Sequence, residues 1–153
     1  METLTKSVVI CGRLPAEVLT YCLDASNFPK IFPEPVTAVG KTDLSDMKIE
    51  QGREFHFRHW MLGFLPMRWH VRIAEVCADR YFVDEMICGP LKYFRHTHRV
   101  EIHRAGTLYT DTVQYAAYGG AMLTKSLVTP YLKRIFALRH RNMKRLLDAA
   151  DEH

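Results

Sequence analysis

The sequence predicts an α+β fold: a curved antiparallel sheet of six to seven strands wrapped around a long C-terminal helix, in the order β-α-α-β6-α. Three observations carry this reading. From Val36 to Tyr118 apolar and polar residues alternate with period two, interrupted by short clusters of turn-formers. After Gly119-Gly120 the apolar residues recur at helical spacing instead. One helix is only about 10 Å wide, too narrow to cover six or seven strands spaced ~4.8 Å apart, so the sheet has to curl around it.

The elements follow in order. Thr5–Cys11 is rich in β-branched residues and reads as a first strand. Leu14-Pro15-Ala16-Glu17 opens a helix, because proline's missing N–H is no loss in a first turn. Val18, Tyr21 and Cys22 give that helix a narrow apolar side. Asp24-Ala25-Ser26 caps a second short helix, ended by Pro29, Pro33 and Pro35. Strands are predicted at 36–41, 53–61, 67–76, 80–87, 92–103 and 107–118. Short connections between them imply antiparallel pairing. In the final helix Val128, Leu132, Ile135, Met143, Leu146 and Ala150 form one side, and Lys133, Arg134, Arg141, Lys144 and Arg145 the other. Pro130 either opens this helix with Thr129 as cap or kinks a longer one that starts near Met122.

Composition narrows the function classes. With 153 residues, 48% hydrophobic and 25% charged, the chain is sized for one domain, 1–153. No apolar stretch approaches the roughly 20 residues of a membrane helix. The N-terminal segment reads as a strand rather than a signal peptide. A formal charge of +4 without a clustered basic face argues against nucleic acid as a partner. Cys11, Cys22, Cys77 and Cys88 lack C-x-x-C spacing and are expected to be buried free thiols in a cytoplasmic protein.

Alternation assigns the sheet faces. Met67, Trp69, Val71 and Ile73 share the inner side, as do Phe94, His96, His98, Val100 and Ile102, and Tyr109, Asp111, Val113 and Tyr115. Phe55, Phe57, Trp69, Phe82, Phe94 and Tyr115 can fill a solid core or wall a cavity. A two-residue turn at Ala105-Gly106 would set Ile102 opposite Tyr109, Val100 opposite Asp111, His98 opposite Val113 and His96 opposite Tyr115. A looser turn near Pro90 would bring Asp84 beside His96 and Phe82 beside His98. His96 then stands between a carboxylate and a phenol, the setting that fixes an imidazole's tautomer. Such inner polar groups form a closed core network, a recognition site, or acid–base machinery; no nucleophile is evident. His96-x-His98 with Asp84 or Asp111 is a low-specificity metal pattern, and no metal or cofactor is assigned.

Arg139 lies on the apolar line of the last helix, placed to pair with Asp84 or Asp111 or to reach an acidic ligand. His56, His70, His103 and His140 are expected at the surface. The apolar loop from Trp60 to Pro66 suits a cavity portal, a homodimer contact or a membrane-touching tip, in that order.

Several segments together resemble a known family: Asp24-Ala25-Ser26-Asn27-Phe28-Pro29, Gly63-Phe64-Leu65-Pro66 before Trp69, and Phe82-Val83-Asp84-Glu85-Met86 ahead of Gly89-Pro90. His96-Thr97-His98, Gly106-Thr107 with Asp111-x-Val113-x-Tyr115, and Phe136-x-x-Arg139 complete the set. Over nearly the whole chain the pattern resembles the START-like, or SRPBCC, helix-grip superfamily, in its bacterial polyketide cyclase/dehydrase-like or ligand-binding branch. Met86 departs from it, standing where a polar residue is common.

The resemblance implies a pocket between sheet and last helix for a lipid, polyketide or quinone-like small hydrophobic molecule. In that pocket Phe55, Phe57, Trp69, Phe82 and Phe94 would be walls, and Asp84, His96, His98, Asp111, Tyr115 and Arg139 polar contacts. The alternative is a cyclase or dehydratase with His96 as general base, Asp84 holding it and Tyr115 donating a proton.

Overall fold

A computed structural model describes residues 1–150. Strand β1 (Glu2–Cys11) leads into α1 (Pro15–Cys22), a 3₁₀ turn (Ala25–Asn27) and α2 (Phe28–Ile31). Six strands follow: β2 (Val36–Ala38), β3 (Glu54–Met61), β4 (Leu65–Cys77), β5 (Tyr81–Cys88), β6 (Tyr93–His103) and β7 (Gly106–Ala116). They pair antiparallel in the order β1-β7-β6-β5-β4-β3-β2. The last helix runs through α3 (Gly120–Leu123), a π turn (Thr124–Val128) and α4 (Thr129–Leu147). This is the order the sequence predicts.

Local chemistry explains the boundaries. Pro15 sits in the first turn of α1, and Glu17 Oε2 accepts from the Leu14 N–H at 2.8 Å. Asp24 caps the 3₁₀ turn by accepting from the Ser26 N–H at 3.0 Å. Pro29 does not end the second helix but lies in its first turn; Pro33 and Pro35 follow its end. Pro130 lies inside one long helix that starts at Gly120, so of the two alternatives the longer helix is the one found. Its ring excludes the carbonyl four residues back, and the wider π turn directly ahead of it takes up the misfit. Thr129 is helical rather than a cap, and its Oγ1 donates to the Thr124 carbonyl at 3.1 Å.

The β6–β7 register corrects the expected one by two residues. His103 pairs with Gly106, Val100 with Tyr109, His98 with Asp111, His96 with Val113 and Phe94 with Tyr115. The turn is Arg104-Ala105, and Gly106 already belongs to β7. A Cβ on Gly106 would stand 2.3 Å from the Ile10 carbonyl, so this glycine serves a close backbone approach rather than the turn. A two-residue slip keeps every side chain on its face. The inner face is therefore as expected except at Ile102, which lies beyond the buried Val100 at the hairpin end and is 82% exposed.

Two other expectations are corrected. Leu146 is exposed and Leu147 takes the buried place on α4. All four cysteines are free, but only Cys22 is buried, and Cys88 is exposed.

Three buried clusters form under the sheet. Ile10, Val18, Leu19, Tyr109 and Met143 anchor one, Val113, Tyr115, Leu132 and Phe136 the second, and Ala25, Leu44, Phe55 and Ile73 the third. They meet around a cavity instead of merging.

Candidate functional site: a cavity with a polar floor

The cavity measures about 150 Å³. Phe55 and Phe57 of β3, Trp69 of β4, Phe82 of β5 and Phe94 of β6 line it, and Ile135 and Phe136 of α4 close it. Phe28 and Phe32 complete the apolar rim at one end. Asp84, His96, His98 and Arg139 form a polar cluster on this wall, and Asn27, His59 and Tyr131 bring further polar groups to it. Asp111 stands behind His96 and His98 and does not line the space.

Cross-strand pairing assembles the floor. Asp84 lies opposite His96, and Phe82 opposite His98, as the sequence predicts. His98 Nε2 donates to Asp84 Oδ2 at 2.6 Å. His96 Nε2 donates to Asp111 Oδ1 at 2.6 Å, leaving Nδ1 3.7 Å from Asp84 Oδ2. Asp111 also accepts from Tyr109 at 2.7 Å, from His140 Nε2 at 2.6 Å and from Arg139 Nε at 3.3 Å. Arg139 Nη2 donates further to Tyr109 Oη at 2.8 Å and to His98 Nδ1 at 3.2 Å. These tautomers are the ones the hydrogen-bond partners require. The rings are fixed by packing: Phe82 stacks on His98 at 3.9 Å, and Phe136 meets His96 edge-on at 5.1 Å.

Burial and charge set the protonation. Burial alone would raise the Asp111 carboxyl, but Arg139, His96 and the donated hydrogen bonds hold it well below the usual range. The same contest lowers Asp84, where His96, His98 and Arg139 outweigh burial. Burial and the neighbouring His96 push His98 down to about 4. Burial raises the Tyr109 phenol, although Arg139 opposes it. The floor thus holds two carboxylates and one guanidinium around neutral His98.

Structure and expectation part at several residues. Nine of the predicted contacts line the cavity; Asp111 and Tyr115 do not. Tyr115 is buried in another cluster and bonds Thr129, so no phenol from Tyr115 reaches His96. The register places Tyr109 in the network instead, against His98 at 2.8 Å. His140, expected at the surface, is 3% exposed and bound to Asp111. Its place four residues after Phe136 and three before Met143 is the helical signal that marks it. His59 shares β3 parity with Phe55 and Phe57 and also lines the cavity. It accepts from Trp69 Nε1 at 3.0 Å on Nδ1 and donates to Glu34 at 2.9 Å through Nε2. Burial lowers its pKa, with Glu34 pulling the other way.

One trio could bind a cation. Asp84, His96 and His98 each offer a donor atom, all within 4.8 Å of one another. Among the described residues no helix is long and apolar enough to cross a membrane.

No protein-family model and no curated protein sequence matches this chain. Solved structures do. A protein from Chromobacterium violaceum superposes with a TM-score of 0.73 at 11% identity, over 97% of this chain and 98% of that one. A START superfamily protein from Mycobacterium smegmatis gives 0.66 at 9%, over 94% and 98%. The major latex-like protein of Panax ginseng gives 0.69 at 12%, over 97% and 98%. At such identities the likeness establishes the helix-grip fold and leaves function to the site.

Proposed function

We propose that residues 1–153 act as one domain that binds a small, mostly apolar molecule carrying one polar group. The observation that supports this best is the cavity between sheet and α4, walled mostly by aromatic and aliphatic side chains, with the polar cluster of Asp84, His96, His98 and Arg139 on its wall. A packed core gains about 25 cal/mol for each Å² of apolar surface removed from water, and this interior forgoes part of that gain to keep a space. Its volume of about 150 Å³ matches an apolar cavity that admits benzene. The fit is therefore to a single ring, as in a quinone-like or short polyketide headgroup. A longer lipid requires the Phe28–Phe32 segment, which lines the cavity, to move. Leu62 and Phe64 are exposed at the tip of the 60–66 loop, with Phe64 70% exposed, as a portal would need. The four free thiols suit a cytoplasmic setting.

Trp69 lines the cavity and reports on it. Titrating the protein with phenol, 2-naphthol and a short-chain fatty acid, while following tryptophan emission, should show saturable one-to-one binding for at least one of them. Val71, buried on the lining, offers a control. Val71→Phe should fill the space, keep the circular dichroism spectrum and weaken binding at least tenfold. Emission that fails to saturate with every probe, or is unchanged by Val71→Phe, rejects the reading.

A further inference from the structure

We propose that Asp84, His96 and His98 form a mononuclear site for a first-row divalent transition metal ion, open toward the cavity. Two imidazoles and one carboxylate on one side of an ion make the facial arrangement that leaves further coordination positions for a small ligand. Here the three donors come from paired strands, with Asp84 directly across from His96 and His98 two residues along the same face. They are held by the sheet itself, the most rigid platform the fold offers.

Orientation is the stronger indication. A ring nitrogen is directed to a metal by the hydrogen bond its other nitrogen makes. His96 Nε2 is committed to buried Asp111 at 2.6 Å, so the Nδ1 lone pair faces Asp84 and, among the described residues, makes no hydrogen bond. His98 Nδ1 faces Tyr109 Oη at 2.8 Å, and Tyr109 passes its own proton to Asp111 at 2.7 Å. If His98 moves its proton from Nε2 to Nδ1, Tyr109 accepts it, and Nε2 is freed for an ion. In that form Arg139 gives up its 3.2 Å hydrogen bond to His98 Nδ1 and keeps those to Tyr109 at 2.8 Å and to Asp111 at 3.3 Å. The two states differ by one tautomer, that one Arg139 hydrogen bond and the contents of the site.

Distances and charge agree. Metal–ligand bonds near 2.1 Å at tetrahedral angles put donors roughly 3.4 Å apart. Asp84 Oδ2 lies 2.6 Å from His98 Nε2 and 3.7 Å from His96 Nδ1, so small side-chain rotations bring both to that spacing. Asp84 and Asp111 are two carboxylates with Arg139 as their guanidinium partner, and a divalent cation beside Asp84 adds positive charge that favours both ionised carboxylates. Asp84 Oδ1 accepts no hydrogen bond among the described residues and is free to be a second oxygen donor.

The site does not depend on an apolar ligand, so its test is run on chelator-treated protein without one. Co²⁺ titration followed by visible absorption, and Zn²⁺ titration by calorimetry, should each give one ion per chain. Asp84→Asn and His98→Gln should each weaken binding at least tenfold, and Asp111→Asn, acting through His96, by roughly 10–100-fold. Long-range proton–nitrogen correlation spectra supply a readout on the unaltered chain: Zn²⁺ should shift His98 from Nε2–H to Nδ1–H while His96 remains Nε2–H. Unchanged tautomers at saturating Zn²⁺ overturn the proposal. So does binding that survives both Asp84→Asn and His98→Gln but is lost in His70→Ala, which would assign the ion to the outer-face pair His56 and His70, stacked at 4.0 Å. Phenol or naphthol binding to the metal-free protein is a separate result and bears only on the apolar-ligand reading.

Discussion

Asp111 is the residue on which the interior depends. It is 1% exposed and accepts hydrogen bonds from Tyr109, His96 and His140, with Arg139 as counter-charge. Removing one member of a buried ion pair strands the other, at a cost of about 3–5 kcal/mol. Arg139→Met should therefore lower the urea midpoint sharply, whereas Arg139→Met combined with Asp111→Leu should recover a substantial part of the loss. Equal losses in single and double variants would show that packing around the methylene stem of Arg139, not charge, is what matters. The importance of position 139 is legible in the sequence, because a guanidinium between Ile135 and Met143 on an apolar line has to find an anion. Its phenolic neighbour is not legible: Tyr109 and Tyr115 share parity, and only the register, a tertiary property, selects Tyr109.

At the level of elements, face assignment and register have different physical origins. Face follows from the two-residue repeat of a strand, so Phe55, Phe57, Trp69, Phe82, Phe94, His96 and His98 are placed correctly from sequence alone. Register follows from where a turn closes, and here the deciding contact lies outside the hairpin. Gly106 has φ 147° and abuts the Ile10 carbonyl and the Gly12 N–H of the first strand's end. The glycine looks like half of a turn but belongs to a three-way junction of β1, β7 and the entry to α1. Gly106→Ala should cost several kcal/mol, combining a strained backbone at ~1–3 kcal/mol with an overlap that backbone atoms cannot relieve. Gly40→Ala makes the comparison: φ is 65° there, but a Cβ meets nothing within 4 Å, so the cost is the left-handed conformation alone, about 1–2 kcal/mol. Thermal melts of the two variants should rank accordingly. The long final helix shows the same division, since its period is readable but its π turn arises from Pro130 meeting an unbroken helix.

For the molecule as a whole, the width of the sheet against one helix predicts curvature, but cannot say whether the hollow is filled. The same aromatic residues serve either purpose, and the answer depends on how far α4 stands from the strands. The hollow's polar floor has a consequence for stability across pH. Burial first, then His96, lowers His98 from an ordinary 6.5 to about 4 in the folded chain, and burial lowers His59 as well. The unfolded chain then binds more protons than the folded one between those values, so stability falls as pH drops through that window. For His98 in the metal-free protein the full effect corresponds to about 3 kcal/mol. Below it, Asp84 and Asp111, both held under their ordinary values, lose stability in turn as the pH falls toward their folded pKa. At the alkaline side burial raises Cys22 from 9.0 to about 12, so the unfolded chain deprotonates first and stability declines above pH 9. Melting temperature against pH should therefore form a plateau between roughly 6.5 and 9, with the acid shoulder shallower in His98→Gln and the alkaline shoulder shallower in Cys22→Ala. A melting temperature that stays level from pH 6.5 down to about 4 would mean that the folded cavity accepts a proton as readily as water does, and a floor of that kind could not be the desolvated, pre-aligned surface that holds Asp84, His96 and His98 in place.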